Sequence, residues 1–166
     1  NANLSATGAT PGLVITYGSS GSMKLQNGKS ITLSGTNPSL SIGGHTYKVI
    51  NSLGLFGSLT TTDLQGIQGG LSNTDYYALG SNIDATATST WNTGKGFKPL
   101  GTNLSFEGVF NGLGHTIDGL TINGDNNQRV GLFTLIRPDA RVSNLGLTNI
   151  SISSASMTAQ YIGGIA

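Results

Sequence analysis

Side chains able to act as metal ligands are few and far apart in this 166-residue chain. It has no cysteine, and its two histidines, His45 and His115, lie 70 positions apart. Neither has a second histidine at the short spacing that a protein zinc site uses. A turn at 124–127 offers oxygen ligands for calcium, but it lacks the terminal acid of an EF-hand loop and is better explained as an Asx turn. We therefore predict that the chain binds no metal.

The carboxylates are too scattered for acid–base catalysis. Hydrolysis or elimination on an extended β-fold would need two or three acids on one face, with a basic residue nearby. The sequence pattern places Asp118 beside Ser143 of a neighbouring repeat, and it gives Asp84 no acidic partner. We expect Asp84 to accept hydrogen bonds from backbone amides at a strand end. With no Gly-x-Ser-x-Gly nucleophile motif either, we predict a non-enzymatic protein with no catalytic residues and no cofactor.

The aromatic residues are the best candidates for binding a ligand, because their rings stack on sugars and on protein surfaces. The candidates are Trp91, Tyr76, Tyr77, Tyr47 and Phe97. Trp91 follows Thr90 in a loop-like stretch, which suits a binding platform. The alternative is that Trp91 caps a hydrophobic column from a long loop between strands.

The composition indicates a β-rich chain. Glycine, serine, threonine and asparagine account for 80 of the 166 residues, and these types disfavour the interior of a helix. Charged residues make up only 9% and the net charge is +1. This balance argues against a nucleic-acid partner, because phosphate binding needs a basic surface. The apolar runs are far shorter than the roughly 18 residues of a membrane-spanning helix.

One short helix and two hairpins stand out from the strand-like remainder. Thr62 can cap a turn that carries an apolar stripe, which predicts a short helix near 62–71. The stripe consists of Leu64, Ile67 and Leu71. The pair Gly43-Gly44 between two alternating runs predicts a β-hairpin with a primed turn. The pair Asn27-Gly28 predicts a second hairpin, between residues 23–25 and 31–33.

The second half of the chain repeats itself, and this repetition determines the fold that we expect. Residues 116–122 match 141–147 at an offset of 25, and residues 130–133 match 162–165 at an offset of 32. Different strands that recur in the same order predict a parallel β-helix, in which coils of about 20 to 30 residues stack at about 4.8 Å. A flat β-sandwich is the alternative, but it explains the two offsets poorly.

We predict an all-β chain that forms one continuous domain with two parts. Residues 1–60 form an irregular first coil or an antiparallel β extension, and residues 61–166 form the β-helical coils. The strand-like stretch 161–166 has no polar cap, so we expect the coils to continue in a longer protein.

Four motifs of the second half, taken in order, resemble a known family. They are residues 77–92, 96–101, 106–117 with its Phe-Asn-Gly-Leu-Gly-His run, and 130–133. They resemble the GLUG-motif segment of filamentous-haemagglutinin-like and high-molecular-weight adhesins, the exoproteins of bacterial two-partner secretion. The resemblance covers roughly residues 30–166. It implies a right-handed parallel β-helix that acts as a rigid stalk or adhesive surface for attachment to a host or between cells.

The same resemblance implies a location and partners. The segment is expected to be secreted or on the bacterial cell surface, exported by an outer-membrane β-barrel transporter, and to bind a receptor or glycan of a host cell or matrix. It also places His115 in a turn that enters a strand, where a ring nitrogen can bond a buried backbone group. Some high-molecular-weight adhesins are glycosylated at Asn-x-Ser sequons, which occur here at Asn3, Asn103 and Asn149 but also arise by chance in such a composition. A carbohydrate-binding or carbohydrate-active β-helix is the alternative function.

Overall fold

The computed structural model describes residues 3–18, 21–70, 75–101, 105–124, 129–154 and 161–166. Within these ranges short strands, joined by turns, stack as a parallel β-solenoid of about five turns. The all-β solenoid predicted from the repeats is therefore confirmed. In chain order the strands are β1 (Leu4–Gly8), β2 (Gly12–Ile15), β3 (Ile31–Gly35), β4 (Ser39–Ile42), β5 (His45–Ile50), β6 (Tyr76–Leu79), β7 (Ile83–Asp84), β8 (Val109–Asn111), β9 (Thr116–Asp118), β10 (Thr121–Gly124), β11 (Arg129–Val130), β12 (Arg141–Ser143), β13 (Gly146–Thr148), β14 (Ser151–Ser154) and β15 (Tyr161–Ile162).

The main stack is held together by parallel pairing between successive coils. In the largest sheet β5, β6, β8 and β12 lie side by side, with Val109 paired to Arg141. A second sheet of β7, β9 and β13 stacks Ile83 on Ile117 and Ile117 on Leu147. The pairs β10 with β14 and β11 with β15 connect the last coils in the same way. Backbone hydrogen bonds thus link each coil to the next on several sides.

The repeat lengths confirm one part of the prediction and correct another. The strands β11 and β15 pair at the predicted offset of 32. The offset of 25 is wrong, because Ile117 pairs with Leu147, 30 positions later. Each corner of a coil consists of a strand, a turn and a strand with apolar residues at alternate positions. Residues 116–122 therefore resemble the neighbouring corner at 141–147 as well as their true partners in the next coil.

The strands β1 to β4 add a second layer, the N-terminal layer, to this stack. β1 pairs in parallel with β3, and β2 with β4, in both cases 27 positions apart. The predicted hairpin at Gly43-Gly44 is confirmed, since it joins β4 and β5 as antiparallel neighbours and both glycines have positive φ. Because the hairpin reverses the chain, β2 and β4 run against the strands of the main stack within one sheet.

The second predicted hairpin, at Asn27-Gly28, is wrong. The turn itself is present, since the Lys29 N–H donates to the Gln26 carbonyl oxygen at 3.0 Å. Residues 23–25 form no strand, however, and β3 pairs with β1 instead. The side chains of Met23 and Leu25 pack against the core of the N-terminal layer.

Two apolar cores result from the alternation of side chains along the strands. Tyr77 and Phe110 point into the solenoid and belong to its fully buried inner core. Val49 and Ala78 point outward from the same sheet and are buried beneath the N-terminal layer, together with Leu33 of β3. The central strands of this sheet are thus covered on both faces, which is why β6 is almost continuously apolar.

The short helix is a 3₁₀ helix over Gln65–Gly70 rather than a capped helix from residue 62. The side chain of Asp63, not that of Thr62, accepts the N–H of Gly66, at 2.6 Å. Leu64 and Ile67 are fully buried as the stripe predicts, and Leu71 lies outside the described residues. The glycines at 66, 69 and 70 disfavour a longer α-helix. A second 3₁₀ segment, Thr86–Gly94, contains a kink and was not predicted.

Candidate functional site

An open groove lies beside the part of the outer face that the N-terminal layer covers. Its volume is about 840 Å³, and Tyr17, His45, Tyr47 and Tyr76 are among the residues that line it. The rings of His45 and Tyr76 stack with their centroids 4.3 Å apart. The ring of Tyr47 meets that of Tyr76 edge-on at 5.2 Å. The groove therefore presents a packed aromatic cluster.

The hairpin and the neighbouring strand position this cluster. His45 and Tyr47 are two residues apart in β5 and so share a side of the sheet, and Tyr76 begins the adjacent strand β6. The hydroxyl of Tyr17 lies so close to Gly43 that a Cβ at that position would collide with it. Burial raises the pKa of Tyr47, and the nearby Tyr17 and Tyr76 raise it further.

The charge of the groove is positive over the residues that the structure describes. Lys24 and Arg141 line it, and its described lining contains no aspartate or glutamate. Neither cation forms an ion pair with another described residue. Ser143 and Asn144 add a hydroxyl and an amide. The arrangement can bind a ligand that has an apolar face together with negative charge or hydrogen-bond acceptors.

The other aromatic candidates lie away from this groove. Tyr77 is fully buried, and its hydroxyl donates to Asp75 at 2.9 Å; this corrects the expectation that Tyr77 stacks on a ligand. Burial, reinforced by the Asp75 carboxylate, raises the pKa of Tyr77. Phe97 is also buried in the solenoid core. Trp91 is half-buried, packs against the same core and meets Phe56 edge-on at 6.3 Å, the position of a cap over the hydrophobic column. Ligand stacking by Trp91 stays a prediction.

Two of the three sequon asparagines lie on the described surface. Asn3 is exposed, and its side-chain oxygen accepts the N–H of Ser30 at 3.2 Å. Asn149 is exposed at a positive φ, and its amide nitrogen donates to Asp118 at 2.7 Å. Asn103 and the predicted Asx turn at 124–127, apart from Gly124 itself, lie outside the described residues. Glycosylation at these positions stays a prediction.

His115 has the structural contacts expected of it. It is buried, its Nε2 donates to the carbonyl oxygen of Ile31 at 2.9 Å, and its Nδ1 lies 3.0 Å from Oδ1 of Asn82. The ring therefore connects the solenoid to β3 of the N-terminal layer. Burial lowers the pKa of His115, against the opposing effect of its hydrogen bond to Ile31.

Protonation of His115 is expected to destabilise the fold. Its folded-state pKa lies below the ordinary value of 6.5, so the unfolded chain takes up a proton at a higher pH than the folded chain. The contribution of neutral His115 to the free energy of unfolding is therefore fully present above pH 6.5. It is lost progressively as the pH falls from 6.5 toward the folded-state pKa. We expect a lower Tm at about pH 5 than at about pH 7.5 in a His45→Gln background. Adding His115→Gln should remove this difference, and a higher Tm at the acidic pH would contradict the prediction.

Two carboxylates that the sequence pattern did not predict to be adjacent are neighbours in the structure. Asp84 pairs with Asp118 in the adjacent coil, and Asp118 pairs with Thr148 rather than with Ser143 as predicted. The incorrect offset of 25 caused this error. The repeated dipeptide Ile-Asp, at 83–84 and 117–118, is the signal that could have found the pair.

Both carboxylates are used in local hydrogen bonds. Asp84 accepts the N–H and the hydroxyl of Thr86 at 2.9 and 2.7 Å, as expected for an acid at a strand end. These bonds hold the pKa of Asp84 below its usual value. Asp118 accepts the hydroxyl of Thr148 at 2.6 Å and the amide of Asn149. Within the described ranges, histidine, aspartate and glutamate side chains form no group of three or more that could hold a metal.

The fold defines the chain as a parallel β-solenoid protein. It is similar to the Halomucin of Haloquadratum walsbyi, with 37% identity over 106 residues, which is 61% of this chain and 1% of that protein. It is also similar to a putative Gly-rich membrane protein of Evansella cellulosilytica, with 36% identity over 90 residues, 54% of this chain and 10% of that protein. The similarity thus spans only a small part of each relative. No family model and no solved structure matches the chain. None of the described helices is long and apolar enough to cross a membrane.

Proposed function

We propose that the chain is a rigid, non-enzymatic segment of a secreted or cell-surface protein and that it serves attachment. The observation that carries the proposal is that polar side chains form hydrogen bonds between adjacent coils. Asn144 donates to Asn111 at 2.9 Å, and Arg137 donates to Ser105 at 2.8 Å. Thr148 donates to Asp118 in the same manner. Side chains engaged in this way stiffen a stack, as a structural segment requires.

The relatives support the surface location. One is called a Halomucin and the other a putative Gly-rich membrane protein, and both names belong to large proteins of which this chain matches a small part. A β-solenoid is suited to such proteins, because each coil contacts only its neighbours and coils can be added to lengthen the structure.

The attachment partner that we propose is a receptor or glycan on a cell or matrix. Adhesin function and export through an outer-membrane β-barrel transporter rest on the resemblance to filamentous-haemagglutinin-like proteins. Attachment can be tested with beads that carry the folded chain, and we expect them to bind cells or extracellular matrix. Beads with a core-disrupted variant are the control. Equal retention of both bead types, or of neither, would contradict the attachment role.

We expect no turnover of polysaccharides, with or without EDTA. Among the residues that the structure describes, Asp84 and Asp118 are the carboxylates in direct register, and both accept hydrogen bonds from neighbouring side chains. A broad polysaccharide panel should release neither reducing ends nor unsaturated ends. Release that is lost in Asp84→Asn or Asp118→Asn would overturn the non-enzymatic proposal and favour a carbohydrate-active β-helix.

A further inference from the structure

We propose that the groove beside the N-terminal layer is a binding site for an acidic glycan, a polysaccharide that carries carboxylate groups. The site consists of an aromatic part, formed by Tyr17, His45 and Tyr76, and a cationic part, formed by Lys24 and Arg141. The assignment deepens the proposed attachment role by naming the ligand class. Its test measures binding directly, so it can fail while attachment through another surface stands.

The register of the sheet places the two parts of the site in one row. Tyr76 pairs with Val109 and Val109 with Arg141, on three adjacent strands. Their neighbours in sequence, among them Tyr77 and Phe110, belong to the inner core, so this row faces outward. With adjacent strands about 4.8 Å apart, the backbones of Tyr76 and Arg141 are separated by about 10 Å.

The aromatic part extends this row by one more strand. Lys48 pairs with Tyr77, which puts Tyr47 beside Tyr76 at the preceding position. Their rings meet edge-on, and His45 stacks on Tyr76. Aromatic rings that already pack against one another lose little conformational freedom when a ligand binds. A sugar ring can therefore stack against them at low entropic cost.

The N-terminal layer shapes the groove by covering only part of the outer face. Val49 and Ala78 are buried beneath it, whereas Tyr76 and Val109 are only partly buried at its border. The segment that carries Lys24 and Leu25 lines the groove as well. The groove therefore runs across several coils, and an elongated groove of this kind can hold an extended chain of sugars.

The charge favours an acidic glycan over a neutral one. Lys24 and Arg141 form no ion pair within the described part of the chain, and no described acid lines the groove to repel an anion. Arg141 is exposed, and an arginine guanidinium can bind a carboxylate with two parallel hydrogen bonds. Two cations are too few for the long row of phosphates in a nucleic acid.

The test is a binding titration with two matched probes, fluorescently labelled tetragalacturonate and its uncharged counterpart galactotetraose. We expect the wild-type chain to bind the acidic probe at least about tenfold more tightly at low salt, with a preference that decreases as salt rises. Arg141→Gln should weaken binding of tetragalacturonate much more than binding of galactotetraose, so that most of the preference is lost. Tyr17→Ala should weaken binding of both probes by about tenfold, and because Tyr17 is partly exposed the variant should keep its fold.

Matched controls lie elsewhere on the surface. Arg129→Gln removes an exposed arginine, and Tyr161→Ala removes an exposed tyrosine, neither of which lines the groove. Both should bind the acidic probe like the wild type. Absence of binding, equal affinity for the two probes, or the same loss in Arg129→Gln as in Arg141→Gln would overturn the assignment.

Discussion

Replacing Ile117 by aspartate is expected to destabilise the solenoid severely. Ile117 is fully buried between Ile83 of the preceding coil and Leu147 of the following coil. A carboxylate there has no partner, and burying it costs about 3 kcal/mol or more. A domain of ordinary stability has about 5–15 kcal/mol in total. Chemical denaturation followed by circular dichroism measures the loss, and a wild-type midpoint would contradict this core.

The matched control is Leu147→Asp in the same column. Leu147 is only partly buried, so an aspartate there keeps contact with water and should cost clearly less than at Ile117. Leu145, which the sequence pattern places in the same core, is also only partly buried. Equal losses of unfolding free energy in Ile117→Asp and Leu147→Asp would contradict the predicted difference in burial between these two positions.

Replacing Gly112 by alanine is expected to force a steric clash between two coils and so to lower the stability of the chain. A Cβ at Gly112 would collide with the carbonyl oxygen of Asn144 and lie 2.6 Å from the Cα of Leu145, both in the next coil. The coils cannot simply move apart, because the Gly112 N–H donates to the Ser143 carbonyl oxygen at 2.8 Å. We expect a loss of about 2–3 kcal/mol, which lowers Tm by roughly 5–10 °C in a chain of this size.

Gly18→Ala is the control for the methyl group itself. A Cβ at Gly18 has no heavy atom of the described residues within 4 Å, its chain neighbours apart, and the φ of Gly18 is not in the left-handed region. This variant should melt within about 1–2 °C of the wild type, because surface substitutions usually change stability by about 0.5 kcal/mol or less. If Gly112→Ala melted as Gly18→Ala does, the close approach of the coils at this corner would be refuted.

The aromatic groove shows how far sequence could predict a site. Tyr47 and Tyr76 were identified as aromatic candidates from residue type alone, and both line the groove. Residue type alone also predicts Tyr77, which is fully buried because neighbouring residues of a strand point to opposite sides. Tyr17 and Arg141 were missed, because they are distant in sequence and only the stacking of coils brings them to one surface.

The amino-acid sequence by itself determined the class of fold and its local turns. The alternation of apolar residues, the offset of 32 and the glycine pair at 43–44 are local or periodic signals, and each predicts its feature without knowledge of distant contacts.

Only the tertiary structure decided which corner stacks on which. The corners share one apolar pattern, so similarity alone matched 116–122 to the wrong corner, and hydrogen bonding between coils selected the offset of 30. The position of the N-terminal layer was also decided by long-range packing, in which β3 contacts the turns at Gly80 and Leu113. The groove exists because that layer covers only part of the sheet. No short stretch of sequence encodes such a border, because it depends on how residues far apart in the chain pack together.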